Sequence, residues 1–272
     1  MAKQLKIGIV GCGAIGSSLA RAIQRDFGLL AKVVALYDIN AEKSARLSEL
    51  LKRRLSVKTL GQLIKKSGLV IEAASAKCSF EVAKKSLAAG RGVMIMSVGG
   101  LISHLGELTR LARQHHGRVY IPSGAISGVD ALKAANIGKI RSVTLTTRKN
   151  PLSFRGVDYL AAQNVRLDKI TSDKILFSGP AEKAVKYFPQ NINVAAVLSL
   201  AGIGASKTKV IIVASPSAKK NIHEIEIEAE SGRVFTRTEN ILHPDNPKTS
   251  FLAVLSAIAV LKQILEPLRI GT

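Results

Sequence analysis

Lys6-Ile7-Gly8-Ile9-Val10-Gly11-Cys12-Gly13-Ala14-Ile15-Gly16 is the stretch whose reading decides the fold. An apolar run turns over three glycines spaced G-x-G-x-x-G and enters a helix-like segment, Ser17 to Arg25. A strand that feeds a helix N-terminus in this way presents unpaired backbone amides and the positive end of the helix dipole, which together hold a pyrophosphate. Gly11 permits the tight turn, Gly13 keeps a side chain out of the ligand's path, and Gly16 lets the helix lie close on the strand. Ala14 and Ile15 open the helix between the last two glycines, so the expected ligand is a dinucleotide bound at residues 11–16.

Working outward, Val33-Val34-Ala35-Leu36-Tyr37 reads as a second strand ending in Asp38, 22 residues after Gly16. A carboxylate there accepts bonds from the adenosine ribose hydroxyls and repels a 2′-phosphate, which favours NAD. Lys43 and Arg46 follow closely and could reach such a phosphate, so the cofactor is NAD or NADP. The same β-α-β rhythm fills the chain to residue 122, which predicts a parallel sheet covered by helices. Strands are expected at Gly68–Ala73, Gly92–Ser97 and Arg118–Ile121, with helices at Ala41–Lys52, Phe80–Ala89 and Ser103–His115. The first of these strands ends in Glu72-Ala73-Ala74-Ser75, which puts the small residues Ala74 and Ser75 at the carboxyl edge where an open α/β sheet receives its ligand.

From Pro122-Ser123-Gly124-Ala125 onward the texture changes. Strand-like runs at Ser142–Arg148, Lys209–Ala214 and His223–Ala229 mix with helices at Ala181–Phe188 and Asn193–Ala201, which predicts a second, α+β domain. An apolar helix at Ser250–Leu265, introduced by Asn246-Pro247-Lys248-Thr249-Ser250 with its cap-forming residues, is expected to return to the first domain. The predicted fold class is therefore α/β, a Rossmann-type domain at 1–122 and 247–272 interrupted by a substrate domain at 123–246.

Composition narrows the function. The 272 residues are 47% hydrophobic but only 4% aromatic, with no Trp, which suits an aliphatic α/β enzyme better than a base-stacking module. Net charge is +21, from 40 Lys and Arg against 19 Asp and Glu. The basic residues are scattered, as in Lys52-Arg53-Arg54 and Arg148-Lys149, without interleaved aromatics or a nucleic-acid-binding motif. They are expected to form solvated faces whose field attracts anionic ligands. No specific nucleic-acid partner is expected. The two cysteines, Cys12 and Cys78, form neither a disulfide framework nor a metal-ligand cluster. The first residues lead straight into a strand, and no apolar run nears the roughly 20 residues that cross a bilayer. The expectation is a cytoplasmic protein, and by base rate a homodimer.

Four further motifs are more specific than the glycine loop: Pro122-Ser123-Gly124-Ala125-Ile126-Ser127-Gly128-Val129-Asp130, Phe188-Pro189-Gln190-Asn191-Ile192-Asn193-Val194-Ala195, Asn221-Ile222-His223, and Asn246-Pro247-Lys248-Thr249-Ser250. In these, and nearly end to end, the chain resembles the L-aspartate dehydrogenases. The resemblance implies a Rossmann domain closed by the C-terminal helix and an inserted catalytic domain with a mixed sheet. It also implies oxidation of L-aspartate to iminoaspartate with NAD or NADP, releasing oxaloacetate and ammonia on hydrolysis, with the imine available to NAD biosynthesis. By the same resemblance His223 is the catalytic histidine, with His243 a rival, and Ala125 and Asn193 meet the nicotinamide part of the cofactor.

The residue types fit that chemistry. Oxidising an amino acid at Cα needs a base for the ammonium proton, and histidine exchanges protons near neutral pH. His223 could serve as that base, or activate the water that attacks the imine, or merely pair with a neighbouring strand. Asn193 offers a donor and an acceptor to a carboxamide, and suits a helix N-cap equally. Lys248, Thr249 and Ser250, with the amides of a helix start after Pro247, would form a carboxylate cradle or a capping sequence. Asn246 belongs to the same motif, and Ser123 and Gly124 stand at the domain junction where a substrate cleft is expected. The alternatives are a related Rossmann reductase of an imine or semialdehyde, and a non-catalytic dinucleotide sensor.

Overall fold

The computed structural model describes residues 4–188, 193–244 and 246–271, apart from the side chains of residues 246–248. In chain order its elements are β1 (Leu5–Val10), α1 (Ala14–Asp26), β2 (Ala31–Tyr37), α2 (Ala41–Leu50), α3 (Leu60–Lys66), β3 (Leu69–Glu72), α4 (Ala76–Ala88), β4 (Gly92–Ile95), α5 (Leu105–Gln114) and β5 (Val119–Tyr120). There follow α6 (Val129–Ala135), β6 (Ile140–Lys149), α7 (Asp158–Ala162), β7 (Lys174–Pro180), α8 (Ala181–Tyr187), α9 (Asn193–Ala201), β8 (Lys209–Ala214), β9 (Asn221–Ala229), β10 (Gly232–Asn240), β11 (Leu242–His243), β12 (Asn246–Ser250) and α10 (Phe251–Leu265). Contacts divide the chain into two compact units, one running to Pro122 and joined by Val254–Arg269, the other covering Ser123–Ala253 and Ile270 onward.

In the first unit five parallel strands take the order β2-β1-β3-β4-β5. A parallel sheet is covered on both faces, so its strands are mainly apolar, and all four residues of β3, Glu72 among them, are buried. Ile7, Ile9, Leu19, Ile23, Leu36, Ile71 and Met94 form the core, and α10 contributes Ala257 and Leu261 to it. The strand order reverses between β1 and β3, and ligands of open α/β sheets bind beyond the carboxyl ends of the strands at such a point.

The second unit is built on a mixed sheet of order β10-β9-β6-β8-β7, parallel only between β6 and β8. Strict alternation divides its two faces. Along β6, Val143, Leu145, Thr147 and Lys149 are buried, and along β9, His223, Ile225, Ile227 and Ala229 are buried. The opposite positions carry charge. Arg148 pairs with Asp173 and Glu224, Arg237 with Glu224 and Glu239, and Arg233 with Glu226 and Glu228. α8 packs on β7 and β8 with α9 beside it, and Phe154, Tyr159, Phe177, Tyr187 and Phe188 form an aromatic cluster.

One expectation is corrected. Residues 246–250 form an edge strand, in which Leu242 pairs with Ser250 and His243 with Asn246, and the helix begins only at Phe251. Pro247, lacking an amide hydrogen, fits such a short edge strand, and the N-terminus of α10 follows directly after Ser250.

Candidate active site

In the first unit the glycine loop adopts the geometry that a dinucleotide requires. Gly11 has φ +91°, and a Cβ there would stand 2.5 Å from the Ala73 carbonyl oxygen. A Cβ on Gly16 would meet the Gly11 carbonyl at 1.9 Å, so α1 lies directly on the loop. Gly13 differs, because its φ is −76° and a Cβ there would meet nothing within 4 Å. Neither conformation nor packing demands glycine at 13, which leaves an approaching ligand as the reason for it. As N-cap of α1, Gly13 makes no side-chain bond, and Ala14, Ile15 and Gly16 form the opening turn. These residues fit a bound dinucleotide.

Asp38 holds the same loop. Its Oδ2 accepts from the Cys12 amide at 2.7 Å and its Oδ1 from the Asn40 amide at 2.9 Å, which leaves a further lone pair on each oxygen for ribose hydroxyls. Cys12 is buried and its thiol is pushed up to about 12 by burial, then by the Asp38 charge, with Lys43 opposing. A nucleophilic role for it is thereby disfavoured.

The loops after β3 and β4 are tied together by Glu72, a residue whose role the sequence did not disclose. Glu72 is fully buried, its Oε1 accepts from the Ala74 and Ser75 amides, and its Oε2 accepts from the Ser97 amide at 3.0 Å. Burial raises its pKa, against the lowering effect of these hydrogen bonds. Ala74 and Ser75 thus stand beside the glycine loop on a carboxylate-clamped turn.

In the second unit His223 is buried on the inward face of β9, opposite Thr147 of β6 and Thr238 of β10. Its Nδ1 lies 3.0 Å from Thr147 Oγ1. Burial pushes the imidazole down to about 3, and the Lys149 charge adds to the effect. The single hydroxyl hydrogen of Thr238 is within reach of the carbonyls of both Ala125 and His223, at 3.2 and 3.3 Å, and Asn240 Nδ2 donates to Ala125 at 2.9 Å. The structure therefore brings Ala125 and His223 to one network through Thr238. Gly124, with φ +71°, and half-buried Ser123 lead into Ala125.

The remaining expected residues are placed less directly. Asn193 is exposed at the first position of α9, and its motif partners 189–192 lie outside the described residues. Thr249 is half-buried, and Ser250 has a buried hydroxyl with no partner among the described residues. The side chains of Asn246 and Lys248 lie outside the described residues. His243 is buried edge-on to Phe251, with ring centroids 5.6 Å apart. Among the described residues no group of His, Cys, Asp and Glu could hold a metal ion.

A glycine loop at the switch point of a parallel sheet, followed by a mixed sheet with an inward histidine, is the architecture of a nicotinamide-dinucleotide-dependent dehydrogenase. Residues 11–122 match the NAD-binding domain of homoserine dehydrogenase, and residues 130–264 match the C-terminal domain of aspartate dehydrogenase. L-aspartate dehydrogenases of Methanosarcina barkeri and Methanocella arvoryzae are 46% and 47% identical, covering 98% of this chain and 100% and 99% of theirs. The chain belongs to the L-aspartate dehydrogenase family. A crystal structure of aspartate dehydrogenase from Thermotoga maritima shares the fold, with a TM-score of 0.75 at 24% identity over 99% of this chain and 100% of that one.

Proposed function

We propose that the protein oxidises L-aspartate to iminoaspartate with NAD or NADP, and that the imine hydrolyses to oxaloacetate and ammonia. The observation that carries this reading is family membership over both units, the one with the glycine loop and the one with His223. In this reading the unit containing β1–β5 binds the dinucleotide at residues 11–16, Asp38, Ala74 and Ser75. Ala125 and Asn193 meet the nicotinamide end, and the unit containing β6–β10 holds the substrate.

Bound NAD(P)+ supplies the hydride acceptor. The chain's own residues handle the substrate and its proton. Burial holds His223 neutral, so it enters the oxidative direction with an unprotonated ring nitrogen, while the same burial lowers its basicity. When Nδ1 donates to Thr147 Oγ1, the lone pair is left on Nε2, which is the tautomer a base needs. The same atom suits either the ammonium proton or the water that attacks the imine. Ser250, with its unpartnered buried hydroxyl, and Thr249 are candidates for substrate contact.

We also infer a cytoplasmic homodimer. Among the described residues no helix is long and apolar enough to cross a membrane. Light scattering of the purified protein tests the dimer.

The reaction is tested by reverse turnover with oxaloacetate, ammonia and reduced cofactor, in the wild type and in His223→Ala. Roughly 100-fold or greater loss of turnover with cofactor affinity retained supports His223 as the acid-base group. Unchanged turnover removes it, and absence of wild-type turnover points to an imine or semialdehyde reductase.

A further inference from the structure

We propose that Asn240 is a positioning residue: its amide fixes Ala125, and the role rests on the reading above that sets Ala125 against the nicotinamide. Three successive inward side chains of β10, Thr236, Thr238 and Asn240, reach the segment 125–127. Thr236 Oγ1 lies 3.5 Å from the Ser127 carbonyl, Thr238 Oγ1 lies 3.2 Å from the Ala125 carbonyl, and Asn240 Nδ2 lies 2.9 Å from that same oxygen. A Cβ on Gly128 would stand 2.9 Å from Thr236 Cγ2, so the end of the segment lies directly on the strand.

The three contacts are unequal. That of Thr236 is at the long limit of a hydrogen bond, and Thr238 has one hydroxyl hydrogen to divide between Ala125 and the His223 carbonyl. Asn240 makes the shortest contact, and at 2% exposed it meets little competition from water. A carbonyl oxygen can only accept, so the Ala125 oxygen selects Nδ2 to face it and thereby orients the whole side chain. Ala125 follows a turn at Gly124, whose φ of +71° few other residues adopt, and its carbonyl is the handle by which β10 holds that turn.

That orientation carries a cost, and the cost identifies the role. Asn240 Oδ1 is buried with no hydrogen-bond partner among the described residues. A buried acceptor left unpaired destabilises a fold, whereas leucine, of similar shape, would fill the position without that penalty and leave the Ala125 carbonyl to Thr238. Stability alone therefore favours an apolar residue at 240, and what asparagine adds is the placement of Ala125. Misplacing a group that orients a reactant by about 1 Å costs up to roughly 100-fold in rate. Because Thr238 pairs with His223 in the register, the strand that holds the Ala125 turn is also paired to the strand that carries the histidine.

The test compares calorimetric binding of the reduced dinucleotide with that of ADP-ribose, the fragment lacking the nicotinamide, in the full-length wild type and Asn240→Leu. The variant is expected to keep Tm within a few degrees and ADP-ribose affinity within ~3-fold, while binding the reduced dinucleotide ~10-fold more weakly. Turnover of L-aspartate should fall ~10- to 100-fold, with a larger primary isotope effect from L-aspartate deuterated at Cα, because hydride transfer is the step that misplacement slows. A merely structural residue would lower Tm and weaken both ligands alike, and that result overturns the proposal, as does wild-type affinity for the dinucleotide with wild-type turnover. If Asn240→Leu does not fold, Asn240→Ala is put to the same readings, and failure of both to fold makes the residue structural and overturns it as well. A wild type whose preference for the dinucleotide over ADP-ribose is lost in the variant, but which does not oxidise L-aspartate, refutes the reaction and leaves the role of Asn240 standing. A wild type that shows no such preference refutes the Ala125 contact and the proposal with it.

Discussion

Thr147 and His223 face each other across antiparallel strands, with the threonine hydroxyl 3.0 Å from the imidazole Nδ1. This contact couples the imidazole tautomer to the threonine hydroxyl, and the tautomer that donates from Nδ1 leaves the lone pair on Nε2. Thr147→Val keeps the shape and removes the hydroxyl, so kcat is expected to fall about 10- to 100-fold with cofactor Kd unchanged. Unaltered kcat would mean that the imidazole needs no such partner.

Gly13 is the one glycine of the loop that a methyl group would not disturb from the protein's side. Gly13→Ala should therefore keep Tm within a few degrees and weaken the dinucleotide by at least about 10-fold. Gly16→Ala, whose Cβ would strike the Gly11 carbonyl, should instead lower Tm. Thermal melts with and without cofactor distinguish the two, and normal cofactor affinity in Gly13→Ala would contradict the assignment of the loop.

His223 also makes stability depend on pH. Its folded pKa is depressed from 6.5 to about 3, so between those values the unfolded chain binds a proton that the folded chain refuses. The stability associated with neutral His223 is whole above about pH 6.5 and is lost on acidification toward pH 3, by up to about 1.4 kcal/mol per pH unit. His223→Leu removes this dependence. Denaturant titrations at pH 7 and pH 5 should show a wild-type loss larger than that of the variant by about 2 kcal/mol; equal losses would mean that His223 is hydrated in solution.

Glu72 accepts three backbone amides from the turns that follow β3 and β4. Glu72→Gln replaces one acceptor oxygen by an amide that faces another donor, and should cost about 1–3 kcal/mol. Because those turns flank the glycine loop, cofactor Kd should rise as well, measured by fluorescence of the reduced dinucleotide. Lower stability with unchanged Kd would restrict Glu72 to the core.

Much of this architecture is legible in the sequence, for identifiable reasons. The first sheet announces itself because buried parallel strands are continuous apolar runs between helices, and Gly11, Gly13 and Gly16 mark the loop. The second unit is harder. β10 carries Arg233, Arg237 and Glu239 on the outward face of a sheet, so it lacks the apolar signature of a strand, and α6 is only seven residues long. The segment 246–250 reads as a capping sequence because Asn, Thr and Ser are cap formers, whereas it is a short strand that leads straight into α10.

The site shows the same limit. His223 stands out through the Asn-Ile-His motif, but its partners do not. Arg148 and Lys149 are adjacent in the chain and look like one solvated basic pair. Strand alternation turns Arg148 outward to Asp173 and Glu224 and buries Lys149 beside His223. Strict period-two alternation along β6 is the signal in the sequence that carries that separation. Thr147, Asn240 and Glu72 acquire their roles only from cross-strand and loop contacts that no local pattern encodes.

The most direct measurement is absorbance of the reduced nicotinamide while purified protein is given L-aspartate, L-glutamate or L-alanine, with NAD and then with NADP. The account predicts turnover with L-aspartate and little with the other two. Preference for L-glutamate or L-alanine, or silence with all three while the cofactor still binds, would contradict it.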